Sequence, residues 1–299
     1  MSAGTSLVST DRWQARAWLV DKPAGPTSHD VVRDVRRRLS RGTKVGHAGT
    51  LDPFATGLLI ILAGRATRLA DRISGQPKSY RATIRMGARS ETGDPEGPIT
   101  PGGPVPGIDK IEDSLREVGS WTTQRVPAYS AVRIDGERLY HRARRGEVVA
   151  TPERSMLVHE LELVDHRADT YELTLDLRVS KGTYVRQIAA DLGEHLGCGA
   201  YCQALRRTAI GHLEIADAIP LDQVPYLAPV PLTSLLDDMP VCVAGPNDAR
   251  ALIHGRAIPS ALPDGEVIIT AGDGTLLAIA ISETGLLRPK SVFVGPEYQ

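Results

Sequence analysis

Cysteine is scarce in this chain. Three occur in 299 residues, Cys198, Cys202 and Cys242, and so small and odd a number in a chain of this length excludes a disulfide framework as the device that holds the fold. Cys198 and Cys202 could share a helix face as metal ligands, yet no second Cys or His pair stands at zinc-site spacing, so no metal is expected. Long apolar runs are missing too. The longest, Leu58-Leu59-Ile60-Ile61-Leu62-Ala63, is far shorter than the roughly 20 residues that span a bilayer. It is expected to be a buried strand, and no membrane association is expected. Met1 to Trp13 carries Ser, Thr and Asp in place of a basic start and an apolar core, so no secretory signal is predicted and the cytoplasm is the expected compartment. Internal repeats and low-complexity tracts are absent. A composition 41% hydrophobic and 24% charged, with a mean hydropathy of -0.16, excludes fibrous and disordered classes. At 299 residues, one large domain plus a smaller one is the expected organisation.

What the chain does have is charge, unevenly spread. The formal net charge is -1. From Leu235 onward there are 4 Lys+Arg against 8 Asp+Glu, net -4, which leaves 31 basic and 28 acidic residues, net +3, before it. The basic residues gather in three groups: Arg33, Arg36, Arg37, Arg38, Arg41 and Lys44; then Arg65, Arg68, Arg72, Lys78, Arg81, Arg85 and Arg89; then Arg138, Arg142, Arg144 and Arg145. One such group by itself reads as a solvated helix face. Three together point to a polyanionic partner.

Patterning along the chain predicts a mixed α+β fold. Trp18-Leu19-Val20 reads as a short strand, followed by a turn at Lys22 to Pro26 and a helix in which Thr27 and Asp30 fit a capping pattern and Val31, Val32, Val35 and Leu39 form the apolar stripe. Gly46 to Gly57 reads as a loop leading into the buried strand, with a helix through Thr67 to Ile73 after it. Tyr80, Ala82, Ile84 and Met86 alternate with polar residues, as do Leu173, Leu175, Leu177 and Val179, which predicts half-buried strands. A loop from Thr92 to Gly107, a helix with Ile108, Ile111, Leu115 and Val118, a strand from Tyr129 to Ile134 closed at Asp135-Gly136, and a helix bearing Val185, Ile188, Ala189, Leu192 and Leu196 are expected between and beyond them. The interleaving lacks the regular alternation of a doubly wound sheet. A break near Asp237 to Gly245 separates an acidic tail with short strands at Glu266–Thr270, Leu276–Ile281 and Ser291–Val294. The expected organisation is therefore a lead over 1–16, a main domain over 17–236 and a small β domain over 241–299.

The segment Gly46-His47-Ala48-Gly49-Thr50-Leu51-Asp52-Pro53-Phe54-Ala55-Thr56-Gly57-Leu58-Leu59 is the most informative. Its glycines permit tight turns and close approach of a ligand, and Pro53 fixes the chain just after the carboxylate. Alone, Asp52 would read as a turn residue before proline and His47 as a structural histidine. This stretch, however, resembles almost residue for residue the catalytic signature of TruB-type pseudouridine synthases. Three further segments agree in order and spacing: Asp21-Lys22-Pro23-Ala24-Gly25-Pro26-Thr27-Ser28-His29-Asp30-Val31-Val32, Lys78-Ser79-Tyr80, and Val179-Ser180-Lys181-Gly182-Thr183-Tyr184-Val185-Arg186. Gln124 to Gly146 and Leu205-Arg206-Arg207 extend the likeness, which covers about residues 17 to 236.

The resemblance implies a pseudouridine synthase fold, a mixed and largely antiparallel sheet flanked by helices, with a small PUA-like C-terminal β domain. It implies isomerisation of uridine to pseudouridine at position 55 in the T loop of tRNAs, by flipping the base out and attacking with Asp52, either at the anomeric carbon or at the base. Arg186 matches the arginine expected to pair with that carboxylate, and Tyr80 the tyrosine that stacks on the base and moves a proton. His47, Tyr184 and Leu205 match positions lining the base pocket or holding neighbouring nucleotides; Lys22 is expected only as a structural or phosphate contact. No cofactor, no metal and no obligatory protein partner are implied, and a monomer acting on the tRNA T stem-loop is expected. The chain departs from the family pattern at Val126, where a proline is usual, and at Arg133, where a lysine is usual. A non-catalytic tRNA folding chaperone would use the same surface but needs no nucleophile. A guide-dependent enzyme would carry longer basic extensions, and nothing resembles a nucleotide-binding fold or a Ser-His-Asp set.

Overall fold

A computed structural model describes residues 14–130, 132–134, 136–147, 151–236 and 239–295. Strand β1 (Arg16–Lys22) carries a continuous buried run from Ala17 to Val20, as a strand covered on both faces must. Helix α1 (Ser28–Arg38) starts at the expected capping box: the Thr27 hydroxyl accepts from the Asp30 amide, and the Asp30 carboxylate accepts from the Thr27 amide, both at 3.0 Å. Val31, Val32 and Val35 face inward. Strand β2 (Val45–Ala48) then pairs antiparallel with β3 (Thr56–Ala63), His47 opposite Ile61. The sequence predicts a loop over all of 46–57. Its first residues are instead a strand, because the wholly buried run Leu58–Ala63 needs hydrogen-bond partners for its backbone and β2 supplies them. A 3-10 turn (Gly64–Leu69) precedes α2 (Ala70–Gly75), where one helix was expected.

Strand β4 (Lys78–Met86) alternates as its sequence predicts. The expected loop before α3 (Ile108–Val118) contains a small ribbon, β5 (Ala88–Ser90) with β6 (Ile99–Pro101). Strand β7 (Thr123–Arg125) follows. The expected strand over 129–134 shortens to β8 (Arg133–Ile134), paired with β9 (Glu137–Arg138), since Ser130 and Val132 carbonyls accept instead from Tyr140 and Leu139 at the head of α4 (Leu139–Arg144). Asp135 of the expected turn lies outside the described residues. Then come β10 (Glu153–Ser155), paired with β7, the antiparallel strands β11 (Val158–Arg167) and β12 (Glu172–Val179), α5 (Val185–His195), and β13 (Ala200–Ile210). Short strands β14 (Leu213–Glu214) and β15 (Ile219–Pro220) lead on to β16 (Val241–Val243), α6 (Pro246–Ile253), β17 (Ile258–Pro259), β18 (Gly265–Thr270), β19 (Leu276–Glu283) and β20 (Leu286–Val292). The last strand begins five residues before the expected Ser291 because Glu283 and Leu286 pair directly across a tight turn. Asp237 and Asp238, in the expected break, are outside the described residues.

The chain divides into two compact units, one made of the stretch up to Asp52, Leu58–Ser74 and everything from His212, the other of Pro53–Gly57 and Gly75–Gly211. In the first, Trp18, Val20, Val31, Val32, Val35, Val45, Leu59, Ile61 and Val224 form one core. The five-stranded sheet β16-β18-β19-β20-β17 forms the small C-terminal β domain, with α6 and its own core around Leu252, Val267, Ile269, Leu277 and Leu287. In the second, β11-β12-β4-β13 run antiparallel, and α5 packs on β13 with α3 on α5. The fold is thus α+β with a mixed, largely antiparallel sheet, as expected.

Within the second unit, Thr56 and Gly57 lie parallel to Arg206 and Arg207 of β13. Gly57 has φ +103°, and a Cβ there would stand 2.3 Å from the Arg207 carbonyl oxygen. Both conformation and space demand glycine. Gly57→Ala should lower the unfolding free energy by roughly 2–4 kcal/mol, read by urea denaturation. Lys78 supplies a pH-dependent counterpart. Its burial, then the charges of Arg207 and Lys181, push its ammonium down to about 8 from 10.5. Between those values the unfolded chain holds a proton that the folded chain releases, so this contribution to stability is complete above 10.5 and is lost as pH falls through about 8. Unfolding free energy measured across that window should rise with pH in the wild type, and Lys78→Met should flatten the rise.

Candidate active site

Asp52 closes the first stretch of the first unit, and the backbone before it is tightly held. Ser28, buried at the start of α1, donates its hydroxyl to the Leu51 carbonyl at 3.0 Å and accepts from the Leu51 amide at 2.8 Å. With Leu51 buried behind it and Pro53 ahead, the half-buried Asp52 stands on a fixed peptide. The Thr-Ser pair of the Lys22–Asp30 segment therefore has two jobs, Thr27 capping α1 and Ser28 clamping the signature loop. His47 is half-buried on β2 in the same unit. Lys22 is fully buried and donates to the Pro23 carbonyl at 2.7 Å.

The other expected site residues belong to the second unit. Tyr80, 9% exposed, sits on the buried face of β4 between Leu177 of β12 and Arg207 of β13. Leu205, opposite Ala82, shares that face with Arg207, two residues along its strand. The structure thus groups Tyr80, Leu205 and Arg207. Tyr184 is the N-cap residue of α5, and Arg186 lies in the first turn. The Arg186 guanidinium is buried and donates to the Thr92 carbonyl at 2.7 Å and the Tyr129 carbonyl at 3.3 Å, with Asp94 at 3.6 Å. Asp94 is itself fixed, accepting from the Thr92 hydroxyl at 2.6 Å and the Glu96 amide at 3.1 Å. Sequence reasoning missed Asp94, although it precedes a proline as Asp52 does, the one local signal that could have drawn notice. It also missed the Gln124 side chain, which accepts from the Tyr184 amide at 2.7 Å and donates to its carbonyl at 3.3 Å. The two departures from the family pattern fall within this unit. Val126 is buried, and Arg133 bonds the Gly136 carbonyl at 3.4 Å inside its hairpin.

The basic groups are largely built into the fold. Arg36 and Arg38 bond backbone carbonyls of Val45 and of Leu221, Asp222 and Val224. Arg65 and Arg68 bond the carbonyls of Val294 and Val292, and Arg72 pairs with Glu266, so this group fastens the C-terminal β domain. Arg81 forks onto Asp176, and Arg142 and Arg145 pair with Glu147, Arg145 also with Glu137. Many of these arginines, expected one group at a time to be solvated helix faces, thus also brace the fold, their guanidinium forks meeting backbone carbonyls and acids of the protein itself. Cys198 lies beyond the end of α5 and Cys202 on β13, so they share no helix face. Among the described residues no three His, Cys, Asp or Glu side chains are grouped to hold a metal, and no helix is long and apolar enough to cross a membrane.

Comparison with known proteins matches these elements to one family. The model of the TruB family pseudouridylate synthase N-terminal domain covers residues 36–185, and that of the tRNA pseudouridylate synthase B C-terminal domain covers 186–237. A tRNA pseudouridine synthase B of Thermobifida fusca is 40% identical over 287 residues, 93% of this chain and 98% of its own. One of Ruegeria pomeroyi is 39% identical over 293 residues, 94% and 96% of the two chains. In fold, the chain is similar to one in the structure of an H/ACA RNP bound to a substrate RNA containing 2'-deoxyuridine, with a TM-score of 0.71 at 21% identity over 96% of this chain and 87% of that one. Likeness of sequence along nearly the whole of both chains, together with family models that match residues 36–185 and 186–237, places this chain in the TruB family of pseudouridylate synthases.

Proposed function

We propose that this protein isomerises uridine to pseudouridine in tRNA, at position 55 of the T loop. The observation that carries the reading is the Asp52 carboxylate on a backbone pinned by Ser28 and Pro53, in a chain of this family. A nucleophile that must meet one atom of a large, flexible substrate gains from such preorganisation. The reaction breaks the bond from ribose carbon 1' to base nitrogen 1, turns the base, joins carbon 1' to carbon 5, and moves the carbon 5 proton off while nitrogen 1 gains one. No electrons and no atoms are gained or lost. In this reading Asp52 attacks as the carboxylate, at the anomeric carbon or at the base, and the covalent intermediate divides one hard step into easier ones.

The other residues take their roles around that step. Arg186 offers a permanent cation to the nucleophile and to developing charge, its own position set by Asp94 and the Thr92 and Tyr129 carbonyls. Tyr80 stacks on the flipped base and assists proton movement; His47, Tyr184 and Leu205 shape the pocket. A base paired or stacked in RNA cannot reach the carboxylate, so the T stem-loop must be splayed and its phosphates held by cationic side chains. The catalytic domain is taken as residues 17–236 and the β domain as 241–299, in a cytoplasmic enzyme that acts as a monomer without an obligatory protein partner.

Incubated with an unmodified tRNA transcript and no added cofactor, the wild type should form pseudouridine at the T-loop uridine. Asp52→Asn should lose at least about 10³-fold in single-turnover rate while its tRNA affinity stays within a few-fold. Tight binding with no product from the wild type would leave only the folding chaperone. Asp94→Asn, which weakens the hold on Arg186, should cost roughly tenfold or more in the same rate with the product unchanged.

A further inference from the structure

Helix α5 begins without a side-chain cap of its own, since Tyr184 at the N-cap position makes no such bond. The peptide at this point is held from outside. Gln124, at the centre of β7 and only 4% exposed, accepts from the Tyr184 amide at 2.7 Å and donates to the Tyr184 carbonyl at 3.3 Å. A primary amide facing a peptide in this way acts as one rung of a sheet, fixing both the position of the Tyr184 backbone and its orientation. The same Tyr184 carbonyl accepts from the Gln187 and Ile188 amides at 3.0 and 3.1 Å. Gln124 is thereby tied to the first turn of the helix, in which Arg186 sits.

The strand carrying Gln124 is anchored where this leverage requires it. Strand β10 pairs with β7, Arg154 opposite Gln124. Arg154 lies over the turn preceding α5, so close to Gly182 that a Cβ there would come within 2.9 Å of its guanidinium nitrogen. Leu157 and Ser180 exchange two bonds of 2.9 Å, from the Leu157 amide to the Ser180 hydroxyl and from the Ser180 amide to the Leu157 carbonyl. The β7–β10 ribbon thus grips the stretch from Ser180 to Tyr184. Arg186 is then held at both ends, its backbone through Gln124 and Tyr184, and its guanidinium through Thr92, Tyr129 and Asp94.

We propose that Gln124 is a positioning residue for the reaction, setting the Tyr184 side chain and, two residues on, the Arg186 guanidinium through two hydrogen bonds to a single peptide. This rests on the reading that Tyr184 and Arg186 serve the reacting uridine. Because displacements of about an ångström in a reacting group can cost roughly 10²-fold, loss of the clamp falls on the chemical step and spares tRNA binding.

The test compares the full-length wild type with Gln124→Leu and Gln124→Glu in single-turnover pseudouridine formation on an unmodified tRNA transcript, with tRNA affinity measured alongside. Gln124→Leu should lose at least about tenfold in rate with affinity within about twofold. Gln124→Glu keeps the acceptor for the Tyr184 amide but sets a carboxylate against its carbonyl. Its rate relative to wild type at the same pH should climb as pH falls and the acid, once protonated, donates as the amide does. A Gln124→Leu variant with wild-type rate, or one that loses affinity with its rate intact, would overturn the assignment. If Gln124→Leu does not fold, the Glu variant decides, and a pH-independent ratio to wild type overturns the proposal. A wild type that makes no pseudouridine sinks the functional reading itself, whereas an active wild type with unaffected variants sinks the Gln124 assignment alone.

Discussion

Strand β3 has no exposed residue from Leu58 to Ala63, so none of its peptide groups can turn to water. Each must find its partner inside the protein, and the chain is arranged accordingly. Strand β2 folds back antiparallel on β3, β1 lies on its other side, and the entry at Thr56–Gly57 pairs with β13. Because β2 and β3 are antiparallel neighbours in sequence, the chain must reverse between Ala48 and Thr56. Asp52 sits in the middle of that reversal. The glycine at 57, which admits the Arg207 backbone, and Ser28, which clamps Leu51, complete the loop. A carboxylate held this way follows from burying an apolar strand.

Arginine performs much of the cross-bracing. Its planar fork offers several donors in fixed geometry, which suits carbonyls at strand ends and carboxylates alike. Arg38 gathers three carbonyls near Val224, and Arg65, Arg68 and Arg72 reach across to Val294, Val292 and Glu266 of the β domain. Arg186 uses the same capacity at the head of α5, where Thr92, Tyr129 and Asp94 share its guanidinium. A lysine, with a single compact charge, could not serve three acceptors in one plane. The high arginine content of this chain is as much a matter of architecture as of RNA.

Much of this was legible in the linear sequence. Thr27 and Asp30 announced the start of α1 because a capping box is a local device, closed within four residues. The alternation of β4 and β12 was legible because one face of each is buried, which writes a period of two into the residues. Strands β2, β7 and β10 were not legible. They are short, their residues carry little alternation, and what makes them strands is a partner supplied by another part of the chain. The candidate residues divide along the same line. Asp52, Tyr80 and Arg186 stand out through the motifs around them, whereas Asp94 and Gln124 act only through groups about 60 to 90 residues away in sequence.

The sequence by itself determined the family, the α+β class, the helices with strong stripes and the loop that presents Asp52, because each is written in local spacing or in an ordered set of motifs. Only the tertiary structure decided which arginines bind the protein's own backbone, what holds Leu51, and which side chains fix the head of α5. Those outcomes depend on which buried donors and acceptors meet across long stretches of chain. Hydrogen bonding is directional and short in range, so residue order alone does not specify such meetings.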